Sequence, residues 1–433
     1  MLVGAVIGWG WGVPHFSAGA VAGADSFAAL AQETWSLKVR FVGAGTIAIA
    51  AVWTLGKLVA PVVSGLASAL AASRARAAGK GTLLPTTERD IPIGWVALVS
   101  VVCLVPIGFL LAYLSRTSGL GDHLLLLVVG GLVYIVLMSF FVSVVCGYMA
   151  GLIGSSNSPL SGIGILVVIG AALLLVFGVR DAVPEGSEKA LVAFALLVTG
   201  VVFANAAIAN NNLQDLKTGQ LVDATPWKQQ VALIIGVIVG AAIIPPILDL
   251  LNEAYGFVGA PGPVREQALP APQAGLISAL AGGVIEQNVD WSLIRIGALI
   301  GVVMIAVDET LRRVWKGVHL SPLAVGLGIY LPTSSTLMVT VGAVVGWVFE
   351  RRAARAPRPD STKQLGVLLA SGLIVGEGLV GVVIAGFVAF SGENFPLGLV
   401  GDGFAVGPAM WLGGAVFALA GFVLYRWIAR VRF

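Results

Sequence analysis

The sequence predicts an all-α, polytopic transmembrane bundle with interrupted and re-entrant helices, a single transmembrane domain over residues 1–433. About 10–12 membrane segments are expected at roughly 20 apolar residues per crossing. Three observations carry this reading. Of the residues, 58% are hydrophobic and only 11% charged, under half of the roughly 25% that a water-facing globular chain carries. Mean hydropathy is +0.97. Long apolar runs recur from one end to the other, and the charges gather in the loops between them. This pattern excludes a cytosolic enzyme, a nucleic-acid-binding module and a disordered chain. The lipid bilayer is the first partner, and the net charge of +3 reports loop orientation, with no nucleic acid implied.

Taken in order, residues 1–13 are apolar but too short to span, and they lack the basic start of a signal peptide. They read as the end of a span whose beginning is missing, so a truncated chain is expected. Spans follow at 37–60 (running on toward Ala72 with Pro61 as a kink), 93–115, 124–150, 161–179, 190–210, 229–250, 292–311, 333–349, 363–390 and 408–428. Two apolar pieces, 274–285 and 322–331, are too short to cross and read as half-helices or re-entrant segments. Arg74, Arg76, Lys80 and Arg89, then Arg351, Arg352, Arg355, Arg358 and Lys363, then Arg426, Arg430 and Arg432 mark cytoplasmic loops and a cytoplasmic C-terminus. Arg312, Arg313 and Lys316 ask for the same side, which a single crossing by 333–349 does not allow, so that parity stays open. At an offset of 172, Leu196–Gly200 followed by Asn205 echoes Leu368–Gly372 followed by Glu377. Repeat units over 124–250 and 292–428 are one explanation, chance likeness of Gly-rich helices the other.

Few residues offer chemistry. Cys103 and Cys146 sit in apolar runs and read as small buried hydrophobes. The three histidines are isolated near segment ends, so no metal or haem site is expected and no cofactor is implied. No phosphate-binding loop, nucleophile elbow or zinc-protease pair is present, hence no catalytic residue and no enzyme. Candidate substrate contacts are polar groups at helix breaks. Ser155, Ser156 and Asn157 precede Pro159 between two apolar spans, either a broken helix offering hydroxyls and an amide or an ordinary turn. Asn205, Asn212, Gln214, Asp215 and Lys217 form the densest polar run. There the three asparagines 210–212 are expected to unwind the helix, with Asp215 and Lys217 neutralising one another. A polar interfacial cap is the alternative. Glu377 lies amid Gly372, Gly376, Gly378 and Gly381 in an apolar run, where a carboxylate marks a proton path or a hydrogen-bonded structural acid. Arg40 heads an apolar span, either snorkelling to the interface or contacting an anion.

The segment Asn210-Asn211-Asn212-Leu213-Gln214-Asp215-Leu216-Lys217-Thr218-Gly219, followed by Pro226, resembles the QDxKTG hallmark of the oligopeptide transporter (OPT) superfamily, prokaryotic branch, close to the yellow-stripe-like carriers. Lys38–Gly45 with Trp53-Thr54-Leu55, Gly147-Tyr148 through Ile163, Gly326–Pro332, and Ala370-Ser371-Gly372 through Glu377-Gly378 fit the same family in order. The resemblance implies secondary-active, proton-coupled import of small oligopeptides or metal-chelate complexes across a bacterial inner membrane. It also implies a longer chain, from which roughly the first third would be missing here. Substrate would contact the residues above together with Tyr330, Thr333 and Ser334, with protons coupled through Glu377. An incomplete, non-transporting membrane subunit that needs missing helices or a partner is the alternative, and a homo-oligomer is left open.

Overall fold

A bilayer offers the backbone no water to bond with, so apolar runs of this composition must close their hydrogen bonds within helices. The computed structural model describes residues 1–17, 27–54, 56–57, 64, 85–154, 160–184, 186–257, 268–269, 271–287, 290–315, 319–393, 398, 404 and 407–428. They are helical almost throughout, with one isolated bridge between Phe257 and Leu269. Helix α1 (Leu2–Ala5) passes through a π segment (Val6–Gly12) into α2 (Val13–Ser17). Helix α3 (Phe27–Thr34) passes through a second π segment (Trp35–Val39) and continues to Thr54. Then come α4 (Ile93–Thr117), α5 (Leu124–Ile153), α6 (Leu160–Gly178), α7 (Glu188–Leu221) and α8 (Pro226–Ala254). The series closes with α9 (Pro272–Glu286), α10 (Trp291–Val314), α11 (Pro322–Tyr330), α12 (Thr333–Ala353), α13 (Pro359–Ser391) and α14 (Pro408–Ile428).

Among the described residues, eight helices are long and apolar enough to cross a membrane: Ala29–Thr54, Ile93–Thr117, Gly121–Gly151, Glu188–Leu221, Pro226–Ala254, Trp291–Val314, Pro359–Ser391 and Pro408–Ile428. The chain is a multi-pass membrane protein. Helices α9 and α11, of 15 and 9 residues, are the two expected short segments. At 1.5 Å per residue they reach only about 22 and 14 Å. The extension of the first span toward Ala72, with its Pro61 kink, lies outside the described residues.

The chain divides into two compact units, Met1–Val237 with Pro272–Thr336, and Ile238–Ala271 with Leu337–Phe433. In the first, α5 packs along α7, and α9 lies against both α6 and α7. Leu111, Ile135, Val142, Cys146, Val168, Leu191, Phe194 and Val202 make its core. Tyr134 Oη donates to the Val167 carbonyl at 2.6 Å and ties α5 to α6. Cys146 is buried as expected, but Cys103 is exposed, because it lies on an outward apolar face of α4 that only a bilayer covers. In the second unit, Leu251, Ala254 and Tyr255 meet Ala385, Val388 and Ala389, and Phe349 packs on Tyr425 at 4.9 Å.

Two close approaches fix the short helix α11. A Cβ on Gly4 would lie 2.9 Å from Gly328 Cα, and one on Gly328 would lie 3.0 Å from Gly4 Cα, so α1 and α11 touch through bare backbone. A Cβ on Gly43 would lie 2.8 Å from the Tyr330 nitrogen. Small residues at such crossings are how membrane helices gain packing without a hydrophobic driving force.

Candidate functional site

The site is built around the end of α11. Pro322 at the first helical position and Ser321 at the N-cap, whose hydroxyl accepts from Ala324 N at 3.3 Å, start this helix. Asp308 of α10, buried, accepts from Leu320 N at 2.8 Å and from Arg312 Nε at 2.9 Å, so the approach to α11 is anchored. At the other end Pro332 excludes Leu331 from the helical region, and Leu331 takes ψ 149°. The chain then re-enters helix at Thr333. The interruption expected from the sequence is therefore present, at Leu331–Pro332.

Tyr330, the last residue of α11, is 1% exposed. Its hydroxyl accepts from Arg40 Nη2 at 2.7 Å. The Arg40 guanidinium lies 5.1 Å from the Tyr330 ring centre and 5.3 Å from that of Trp35, within cation–π range of both. Trp35 is buried and donates from Nε1 to the Ile329 carbonyl at 3.3 Å, satisfying one of the acceptors that the broken helix leaves open. Trp9 stacks on Trp35 at 5.6 Å with 19° between the planes. The π segment Trp35–Val39 brings Trp35 to this cluster and ends one residue before Arg40. Such insertions gather at functional sites. Thr333 is exposed just beyond the break, and Thr336, buried, returns its hydroxyl to the Thr333 carbonyl at 3.2 Å.

Arg40 is the residue that sequence reasoning undervalued. It does not snorkel, because Tyr330 turns its guanidinium inward. The available signal was a cation followed by an unbroken apolar run, five residues after a tryptophan.

The polar run on α7 departs from expectation. The helix does not unwind at Asn210–Asn212 but continues to Leu221. Asparagine costs a helix only a few tenths of a kcal/mol per residue, and tertiary bonds offset that. Asn205 Nδ2 donates to Ser139 Oγ on α5 at 2.9 Å, and Asn210 is buried. Helical geometry also separates Asp215 from Lys217, since residues two apart do not face each other. Lys217 donates to Gln220 Oε1 at 3.0 Å instead. Gln214, Asp215 and Lys217 are exposed and Asn212 is half-buried. Gly219 leaves room for the side chain of Gln229 from α8, whose Nε2 donates to the Asp215 carbonyl at 3.1 Å. The hallmark segment thus clamps the α7–α8 turn.

Glu377 belongs to the second unit, in mid-α13, and is exposed within the chain. Among the described residues, a Cβ on Gly372, Gly376, Gly378 or Gly381 would meet nothing within 4 Å, so these glycines seat no described neighbouring helix. Ser155, Ser156 and Asn157 lie outside the described residues, as does the side chain of Ser334. Among the described residues, no group of three or more His, Cys, Asp or Glu side chains is placed to hold a metal ion.

Comparisons with known proteins agree with the motifs. The OPT oligopeptide transporter protein family matches residues 1–388. A Haemophilus influenzae protein named as an oligopeptide transporter is 40% identical over 415 residues, 92% of this chain and 65% of that protein. The Arabidopsis thaliana protein YSL5, named as a metal-nicotianamine transporter, is 27% identical over 218 residues, 49% of this chain and 29% of its own length. Rice YSL11, named likewise, is 24% identical over 285 residues, 63% of this chain and 38% of its own. The chain therefore spans 65% of the bacterial relative's length and less of the plant proteins'. No solved structure matches. Because the family match takes in the broken helix, the Arg40–Tyr330 contact and the QDLKTG segment alike, the chain belongs to the OPT oligopeptide transporter family.

Proposed function

We propose that this chain acts as a secondary-active, proton-coupled carrier importing small oligopeptides or metal-chelate complexes across a bacterial inner membrane, with its C-terminus cytoplasmic. The observation that carries the reading is the helix broken at Leu331–Pro332, with the tyrosine and the cation Arg40 gathered at its end. Non-helical backbone at membrane depth persists where it is buried in protein or lines a wet path, and secondary transporters build substrate sites from such breaks. The two cargo classes are those named for the relatives. In this reading Tyr330, Thr333 and Ser334 serve the break, Asn205, Asn212, Gln214, Asp215 and Lys217 offer polar contacts along α7, and Ser155, Ser156 and Asn157 contribute from the α5–α6 connection. The repeat units over 124–250 and 292–428 would supply the two halves that rock against each other.

Glu377 is assigned the proton-coupling role because a carboxylate within an apolar span is costly unless it works. The test compares uptake of labelled tri- to pentapeptides and iron chelates by wild type and Glu377→Gln, with and without an uncoupler. Uptake that collapses with the uncoupler in wild type, and is lost in the mutant, supports the role. Unchanged uptake in both conditions removes proton coupling from the account.

A second reading, a membrane subunit that needs a partner to complete the path, draws on the bare flanks of α8 and α14. Among the described residues, neither of their most apolar windows has any residue buried. Chemical cross-linking in native membranes tests it, with recovery of a further polypeptide on these helices as the supporting result.

A further inference from the structure

We infer that Arg40, held by Tyr330 and backed by the Trp35–Trp9 stack, is the recognition point for a carboxylate group of the cargo. This rests on the carrier reading and names the chemistry of one end of its substrate.

Arg40 has five N–H donors and no acceptor. Among the described residues one of its nitrogens is engaged, by the neutral Tyr330 hydroxyl. Ion pairs among the described residues join Lys57 to Glu309 and Arg312 to Asp308, and neither reaches Arg40. The two rings beside it supply quadrupoles, not a counter-charge. Arg40 is half-buried, lies near the middle of the candidate span Ala29–Thr54, and faces the last turn of α11. A cation there is costly until an anion reaches it.

The surroundings add donors. Trp9 Nε1 is buried and has no hydrogen-bond partner among the described residues, and an indole can only donate. Gln273 Nε2, in the first turn of α9, is likewise buried without a partner. Two residues on, a Cβ at Gly275 would lie 3.7 Å from Arg40 Nη2, so this turn borders the guanidinium and leaves open the space a side chain would fill. The N-terminal end of α9 contributes the positive pole of its dipole to the same side. A fixed planar guanidinium with donors to spare matches a carboxylate, which accepts two parallel bonds from one arginine. Tyr330 and Trp35 set the plane of the fork. Both cargo classes carry the group, as the C-terminus of a peptide or as the acid arms of a chelator.

The test is equilibrium binding to the purified full chain in lipid nanodiscs, with three probes: trialanine, its C-terminal amide, and ferric citrate. Wild type is expected to prefer trialanine over the amide by tenfold or more. Arg40→Gln should bring that ratio close to one and weaken ferric citrate by a similar factor. Arg40→Lys, which keeps the charge and is the safeguard should the glutamine variant misfold, should retain a reduced preference. Selective loss of trialanine discrimination identifies the peptide C-terminus as the source of the carboxylate, and selective loss of ferric citrate identifies the chelate. Equal binding of acid and amide by wild type with ferric citrate binding unaltered in Arg40→Gln, or a preference for the acid unchanged in both variants, overturns the assignment while leaving the carrier reading intact. Wild type that binds none of the probes overturns both.

Discussion

Replacing Gly43 by alanine tests the coupling between helix packing and the site. The added methyl would sit 2.8 Å from Tyr330 N and 2.9 Å from both Tyr330 Cα and Cβ. Ordinary contact begins at 3.4 Å, so α11 must withdraw from the Ala29–Thr54 helix by roughly 0.5 Å. Two of the three atoms met are backbone, so no flexible side chain can absorb the displacement. Overpacking of this kind costs about 1–3 kcal/mol, and the better helix propensity of alanine returns at most about 1 kcal/mol. The net expectation is a loss of up to about 2 kcal/mol, and of about 1–3 kcal/mol relative to a helical Gly→Ala replacement that gains the propensity without the clash. The same shift lengthens the 2.7 Å Arg40–Tyr330 bond and lowers binding affinity by up to about tenfold, since 1.4 kcal/mol is a factor of ten. Gly200→Ala is the control, because nothing lies within 4 Å of a Cβ there. The assay is the melting temperature of both variants in one detergent, followed by probe binding at a temperature where both are folded. Gly43→Ala as stable as Gly200→Ala, with unaltered binding, would refute the claim that this glycine seats Tyr330.

Other expectations follow from single contacts. Asp308→Ala removes the acceptor for Leu320 N and Arg312 Nε. It should cost about 1.5–3 kcal/mol and expose the 319–321 connection to protease in thermal-challenge digests. Gly219→Ala should displace Gln229, lose its bond to the Asp215 carbonyl and lower stability, whereas Gly219→Ala combined with Gln229→Ala should recover part of the loss. Asp290 caps α10, and hydrogen bonds from the Ser292 hydroxyl and backbone N–H hold its carboxyl below the ordinary carboxylate range. A depressed acid stabilises the fold above its unfolded pKa of about 3.9 and loses that contribution as pH falls through the folded value. The melting temperature of wild type should therefore drop more steeply than that of Asp290→Ala on acidification below about pH 4.

The fold was legible because a bilayer leaves few choices: runs of apolar residues long enough to cross become helices, and the short pieces at 274–285 and 322–331 became short helices. Proline chemistry marked the break at Pro332. Local propensity misled at Asn210–Asn212, where burial of Asn210 and the Asn205–Ser139 bond outweigh a small intrinsic penalty. The Arg40–Tyr330 contact joins residues 290 apart in the chain, and no periodicity carries that information. Tyr330 is legible through the family resemblance of Gly326–Pro332, whereas the sequence leaves Arg40 open between a snorkelling span end and an anion contact, and the Tyr330 bond is what holds it inward. Neighbours of Glu377 could not be read from its glycines, because small residues permit a close approach without specifying one.

The most direct test of the central claim is uptake into proteoliposomes reconstituted with this chain, an inward-directed proton gradient, and labelled tri- to pentapeptides or iron chelates. The expected result is saturable, gradient-dependent accumulation of at least one class, reduced in Arg40→Gln. Accumulation no greater than in protein-free vesicles for both classes would contradict it and leave the chain a subunit of something larger.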